Sequence, residues 1–510
     1  MVFSAPTPPP FSYRCSSKRQ TRRPLAALAA AALLLLAGPA ALAAEPRLPK
    51  AIAQALARAQ VPASAVTLLV VDANGQRPPR LSHRAGEAMN PASVMKLVTT
   101  YAALDVLGPN FFWKTNITMD GRIQNGLLDG NMVVRGGGDP KLVVERLQAL
   151  LTQVQTSGVR AIRGDIVLDR SAFSEPTTNA AEFDGEPLRP YNTQPDALLI
   201  NFKTLVMTFT PDLAQGRALV RTEPPMAGLL MDVSVPLLSS APCGDWRSDL
   251  RASVDSPNRV QFLGSYASAC GERVWPSAYA DPPSFAARAI EGSWKVLGGL
   301  LTGQVRDATA PELAMLRSRG TLSGNTSPLR LESPSLPLLD IVRDVNKFSN
   351  NVMAQHLLLS LGLHGKLGQT QAGTLDASRA AAQAWWLKTL PAAAPPVLDN
   401  GSGLSRSGRI SASSLAAMLQ HAAKSPLADA LADSLPLVGV DGSMRERAKA
   451  ATGRAQIKTG SLRDVSAVAG YAQGPSGSRY IVIGIVNHPN ASAARPALNT
   501  LIEWAVQDRK

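Results

Sequence analysis

The pattern of apolar and polar positions changes character twice along the chain. Leu48 to Gln60 carries apolar residues at helical spacing, and Ser64 to Asp72 is a run of branched residues that predicts a strand, ended by the turn Asn74-Gly75. A loop containing Pro78-Pro79 and Asn90-Pro91 delivers the chain to an apolar segment, Ser93 to Leu107, that predicts a buried helix. After Gly108-Pro109 strand patterns take over. Phe112 to Met119, Asn131 to Gly136, Gly164 to Asp169, Ala197 to Pro211, Arg217 to Arg221, Leu229 to Val235 and Val260 to Ser265 predict strands, with a helix at Lys141 to Val159 among them. Helical character returns in Leu336 to Gly362, then in Leu375 to Leu390 and Ser413 to Ala423. Gln456 to Thr459, Val465 to Ala472 and Arg479 to Asn487 predict an antiparallel meander, closed by an amphipathic helix at Ala494 to Gln507.

This order predicts an α+β fold of mixed α/β type. The C-terminal meander and helix are expected to pack beside the early strand near Val66. Residues 45–113 and 322–510 then form one discontinuous domain, and 114–321 is a strand-rich insertion of two domains, one nested in the other.

The start of the chain has a different composition. Arg14, Lys18, Arg19, Arg22 and Arg23 precede an apolar run from Leu25 to Ala40, and Ala41-Leu42-Ala43 offers a small-residue cleavage site. Residues 1–44 therefore read as a signal peptide, with an uncleaved anchor as the alternative, and the expected location is the periplasm. The formal charge is +14, but the basic residues are scattered and no aromatics alternate with them. That argues against nucleic acid and for an anionic neighbour, a cell wall or a membrane surface met peripherally. Removing the signal takes Cys15 away and leaves Cys243 and Cys270, an even pair in an oxidising compartment that predicts a disulfide; two buried thiols are the alternative. His83, His356, His364, His421 and His488 are isolated, so no metal site and no cofactor are expected.

The chemistry begins at Pro91-Ala92-Ser93-Val94-Met95-Lys96, the one Ser-x-x-Lys in the sequence. Residues three apart share a helix face, so a neutral Lys96 could take the proton of Ser93 at a helix N-terminus, where developing negative charge is favoured. Alone, the pair more often describes an N-cap serine followed by an exposed lysine. Two further stretches could converge on it. Ser349-Asn350-Asn351 opens the apolar part of a predicted helix, and Lys458-Thr459-Gly460, unique here, ends a predicted strand and is followed by Ser461. Ser-x-Asn also occurs at Ser256 and Ser323, but in turn-like sequence.

With Ser-Asp-Asn in the middle place, this motif set marks class A β-lactamases and penicillin-binding proteins. The chain resembles the low-molecular-mass class C penicillin-binding proteins, the D-alanyl-D-alanine carboxypeptidase/endopeptidase family of penicillin-binding protein 4. More than twice as much chain separates Ser93 from Ser349 as separates Ser349 from Lys458. A β-lactamase has no room for that insertion, whereas the resembled family carries two extra domains there. Asp399-Asn400-Gly401-Ser402-Gly403-Leu404-Ser405-Arg406, Gly439-Val440-Asp441-Gly442-Ser443 and Lys458-Thr459-Gly460-Ser461-Leu462 also look like family segments.

The resemblance implies a transpeptidase-like domain split by the insertion, acting on peptidoglycan stem peptides and inhibited by β-lactams. It implies Ser93 as the nucleophile on the D-Ala-D-Ala bond, Lys96 as its base, and Ser349 as a proton relay to the leaving amine with Lys458. Asn351 would hold the substrate amide, Lys458 and Thr459 the terminal carboxylate, with Gly460 beside them, and the N–H groups of Ser93 and Ser461 the oxyanion. Arg406 and Asp169, the latter in Leu168-Asp169-Arg170-Ser171-Ala172-Phe173, would line the cleft, Asp169 for the amine of a cross-link. Arg463 departs from the amide side chain expected at its place. The rival readings are a related acyl hydrolase or esterase, and a cell-wall-binding protein with a vestigial site.

Overall fold

The structure, a computed structural model, describes residues 48–174, 179–324, 327–365 and 372–507. The expected signal peptide, residues 1–44, lies outside them. In chain order the elements that place the site are α1 (Lys50–Arg58), β1 (Val66–Asp72), α2 (Lys96–Leu107), β2 (Lys114–Gln124), β3 (Leu127–Arg135), β4 (Ile166–Asp169), β5 (Thr204–Asp212) and β6 (Arg217–Glu223). They continue with β7 (Leu329–Pro334), α3 (Leu338–Phe348), α4 (Asn351–His364), α5 (Ala412–Lys424), β8 (Ala455–Leu462), β9 (Val465–Gln473), β10 (Arg479–Asn487) and α6 (Arg495–Ala505).

β8, β9 and β10 form the expected meander, and β1 adds antiparallel to β10 with Val66 opposite Val486. A short strand, Leu81–His83, completes the five-stranded sheet. Every residue of β1 is buried because helices cover both faces. Side chains alternate along a strand, so Val66, Leu68 and Val70 face α1 and α6, while Leu69 and Val71 face a core shared with α2, α3, α4 and α5. That two-sided burial explains why β1 reads as a continuous apolar run rather than an alternating one.

The inserted block has its own core. Ile117, Leu128, Ile166, Met207, Phe209, Phe285 and Trp294 belong to one apolar cluster that joins its two larger sheets. β2 and β3 are a hairpin turned by Asn125-Gly126, both residues at positive φ, and β4 lies parallel to β3. β7 returns to pair with β2, Leu329 opposite Met119, so the sheet of this block reaches past residue 321. The entering and leaving chains are tied together, Trp113 N–H donating to Ser335 Oγ and Ser335 N–H to Trp113 O. Cys243 and Cys270 form the disulfide.

Several elements differ from the sequence pattern. Leu336 to Gly362 is two helices, α3 and α4, broken at Ser349 with φ 58°. In Ala197 to Pro211 the strand starts only at Thr204, because Asn201, Phe202 and Lys203 all take positive φ. Leu229 to Val235 splits into two short strands, Leu230–Met231 and Ser234–Leu238. Strand Arg273–Ala278 and helices Phe285–Val296, Ala310–Arg319 and Ala428–Ser434 were not anticipated. Their polar faces and short apolar runs hide among turn residues.

Candidate active site

Three segments far apart in sequence meet beside β8. The first is the entry to α2. It begins as a tighter turn, Ala92–Met95, of 3₁₀ type. Such a turn eclipses residues three apart, which sets Ser93 directly against Lys96. Lys96 Nζ lies 2.9 Å from Ser93 Oγ and donates to Asn351 Oδ1 at 2.7 Å and to the carbonyl of Ser402. Ala92, just before the serine, is held at φ 47°, a conformation that needs support from its surroundings. Asn90 supplies it. Its Oδ1 accepts from Ala92 N–H, its Nδ2 donates to Ser405 O, and Asn487 pairs with its backbone in both directions. Sequence reasoning missed Asn90 and Asn487; an asparagine before proline reads as a plain turn.

The second segment is the break between α3 and α4. Ser349 is the left-handed C-cap of α3, and Asn350 caps α4, its Oδ1 accepting from Met353 N–H at 3.0 Å. In an unbroken helix, residues two apart point about 200° away from each other. Breaking it lets Ser349 face Lys458 while Asn351 faces Lys96. Asn351 Nδ2 donates to Tyr191 O at 3.0 Å, which turns its Oδ1 toward the lysine.

The third segment lies inside β8, not at its end as the sequence suggested. Lys458 Nζ lies 2.9 Å from Ser349 Oγ and donates to Thr459 O at 2.8 Å. Thr459 Oγ1 donates to Ser443 Oγ at 2.7 Å. A Cβ on Gly460 would stand 2.4 Å from Pro91 O and 3.1 Å from Ser93 N, so glycine is what lets the strand close on the turn that carries Ser93. Ser461 follows, exposed.

Both lysines are fully buried, and this sets their chemistry. Burial, reinforced by the charge of Lys458, drives Lys96 well below the ordinary lysine range. Burial lowers Lys458 to about 7. A neutral Lys96 has two N–H bonds and one lone pair. With Asn351 Oδ1 and Ser402 O taking the N–H bonds, the lone pair is left aimed at the Ser93 hydroxyl.

Outside this centre a cavity of about 930 Å³ opens between residues 179–197 of the insertion and residues 399–407. Arg406 lines it, stacked 4.6 Å from the Phe183 ring and 3.2 Å from Asp464. Asn192 lines it too, and its buried Oδ1 has no partner among the described residues. Asp169 does not line this cavity. It ends β4, is 2 % exposed, accepts from Ser171 N–H at 2.9 Å and lies 3.4 Å from Arg135 Nε. Its neighbours Arg170 and Phe173 reach the cavity instead. Arg463 is exposed on the turn between β8 and β9.

The sequence matches known proteins over nearly all of the described chain. The model of the D-Ala-D-Ala carboxypeptidase 3 (S13) family matches residues 48–507. A D-alanyl-D-alanine carboxypeptidase of Actinomadura sp. (strain R39) is 29 % identical over 445 residues, 82 % of this chain and 77 % of that protein. The D-alanyl-D-alanine carboxypeptidase DacB of Haemophilus influenzae is 26 % identical over 405 residues, 78 % of this chain and 80 % of the relative. Penicillin-binding protein 4 (dacB) from Haemophilus influenzae shares the fold, with a TM-score of 0.65 at 22 % identity, covering 89 % of this chain and 99 % of that one. The same protein has been solved complexed with a β-lactam.

Proposed function

Since the chain belongs to the D-Ala-D-Ala carboxypeptidase 3 (S13) family and is a serine-type peptidase of that family, we propose that Ser93 is its nucleophile and that it cleaves peptidoglycan stem peptides through an acyl-enzyme. The observation that carries this is Lys96, buried and 2.9 Å from Ser93 Oγ, with its other hydrogen-bond directions occupied. Lys96 takes the proton of Ser93 as Oγ adds to the carbonyl between two D-alanines. The N–H groups of Ser93 and Ser461 stabilise the oxyanion. Ser349, beside Lys458, passes a proton to the departing amine, and water later releases the acyl group. Lys458, Thr459 and Gly460 receive the substrate's C-terminal end, where the ammonium pairs with carboxylate.

The cavity beside Arg406 suits the side chain of the stem peptide. A buried carbonyl such as Asn192 Oδ1 calls for a donor, which a peptide N–H or an amine supplies. Asp169 would reach such a ligand only if Arg135 and Ser171 released it, so we assign the amine end to the cavity wall. β-Lactams, mimics of the terminal dipeptide, acylate Ser93 and stay. The working place is the periplasm, against the cell wall or membrane surface, and among the described residues no helix is long and apolar enough to cross a bilayer. We place the split of the peptidase domain between Trp113 and Ser335, where the entering and leaving chains are joined.

The test is a fluorescent penicillin added to the purified protein and to Ser93→Ala, read by intact mass. One adduct on the wild type and none on the variant is the expected result. A folded wild type that takes no adduct overturns the acyl-enzyme reading.

A further inference from the structure

His356 sits on α4, five residues after Asn351, and is fully buried. Its two ring nitrogens face opposite partners. Nδ1 lies 2.9 Å from the carbonyl of Gly138, which can only accept, so Nδ1 carries the proton. Asp196 N–H donates to Nε2 at 3.3 Å, so Nε2 is bare. The ring is thereby neutral and of one tautomer. Phe173 packs edge-on against it, with ring centres 5.1 Å apart. The carboxylate of Asp196 turns to Lys203 at 2.9 Å and Arg170 at 2.8 Å. Burial, opposed by the Gly138 bond and the Asp196 charge and assisted by Lys203, lowers the imidazole to about 4, so it stays neutral at working pH.

Gly138 and Asp196 both belong to the inserted block, and Asp196 lies five residues along from Tyr191, whose carbonyl receives Asn351 Nδ2. That stretch is therefore attached to α4 at two points, Asn351 and His356. We propose that His356 is a positioning residue: by holding Asp196 N–H it fixes the Tyr191 carbonyl, which fixes the Asn351 amide with its oxygen toward Lys96. Without it the amide is free to turn its NH₂ toward the lysine, and the lone pair of Lys96 loses its aim at Ser93. The insertion then takes part in the reaction through geometry, although among its described residues no side chain is hydrogen-bonded to Ser93 or Lys96. This rests on Ser93 as nucleophile and Lys96 as base.

Two measurements test it. The first is nitrogen NMR of the histidine-labelled wild type, with the His356 signal assigned by its loss in His356→Gln. The expected ring is an Nδ1–H tautomer that does not titrate between pH 5 and 8. A ring that titrates there, or that carries Nε2–H, overturns the proposal whether or not the protein binds penicillin. The second is penicillin acylation of His356→Gln and His356→Asn. The glutamine oxygen reaches the place of Nε2 and can still accept from Asp196; the asparagine amide reaches only the place of Nδ1 and serves Gly138. Acylation should stay within about threefold in the glutamine variant and fall about tenfold or more in the asparagine variant, the scale of one lost orienting hydrogen bond. The acid limb of acylation should also move to lower pH in the asparagine variant, because protonated Lys96 loses an acceptor. Equal losses with an unmoved limb would mean that His356 only supports the fold. If the wild type itself takes no adduct, the nucleophile assignment has failed and this proposal falls with it; a wrong tautomer in a wild type that does take the adduct overturns this proposal alone.

Discussion

A buried lysine is held neutral by the same desolvation that makes it useful as a base, and two such lysines stand in this site. Their proposed tasks differ. As the base for Ser93, Lys96 would have to be unprotonated, whereas Lys458 would serve best charged, against a carboxylate. The expected kcat/KM for a carboxylate-bearing peptide rises as Lys96 deprotonates and declines above about pH 7 as Lys458 loses its charge. A profile flat from pH 6 to 9 would remove Lys458 from substrate binding. The same shift predicts a stability effect with a definite sign. Lys458 titrates near 7 when folded and at about 10.4 when unfolded, so between these values the unfolded chain holds more protons. Raising pH from 7 toward 10 therefore stabilises the fold through this group, and Lys458→Met should flatten the dependence of Tm on pH. Lys96→Ala should abolish acylation while keeping Tm near the wild-type value, because relief of the buried amine, whose pKa burial depresses, offsets the packing lost with its stem. A Tm loss as large as a core truncation gives would argue for a structural lysine.

Among the elements, the 3₁₀ turn before α2, the broken helix α3–α4 and the strand β8 each place one pair of groups. Their mutual approach depends on Gly460, where a Cβ would meet Pro91 O at 2.4 Å. Gly460→Ala should leave the β8–β9 ladder formed but push the strand off the turn that carries Ser93. Acylation is expected to drop about a hundredfold, the usual cost of an ångström-scale misplacement. Circular dichroism with stopped-flow acylation separates this from unfolding; an unchanged rate would mean that the turn gives way freely. The helix break at Ser349 was partly legible. Asn350 before an apolar run is an N-cap signal, but the apolar spacing of Leu338 to Val345 flows into that of Val352 to Leu359 and masks it. The hairpin turn Asn125-Gly126 was a plain signal passed over, and with it the full lengths of β2 and β3.

At the scale of the molecule the peptidase core and the inserted core are separate apolar clusters. The disulfide lies in the second and closes a loop between cysteines 27 residues apart, worth about 3–4 kcal/mol on the chain-entropy view. Cys243→Ala with Cys270→Ala should lower the Tm of the insertion, seen as a separate or broadened transition. Acylation at 25 °C should remain within about twofold, because the penicillin-reactive groups belong to the other core. Loss of acylation in step with the loss of the disulfide would instead show that the two cores unfold as one.

The order of elements, the split domain and the Ser-Lys, Ser-Asn and Lys-Thr-Gly segments were readable because they rest on local signals: periodicity along the chain, and residue types whose chemistry is their own. Their order and spacing carried the resemblance to a peptidase family, and the family model over residues 48–507 shows the membership. Other parts of the site depend on groups that no sequence pattern displays. The carbonyls of Ser402 and Tyr191 are backbone atoms, identical in every residue, and only the fold says which of them faces Lys96 or Asn351. Asp169 matched a motif, yet its carboxylate is taken by Arg135 and Ser171, because pairing in β3 and β4 sets Arg135 opposite it. The lowered pKa of Lys96 was expected from sequence, with burial and Lys458 as its causes, but the burial itself arises only when chain segments hundreds of residues apart exclude water together.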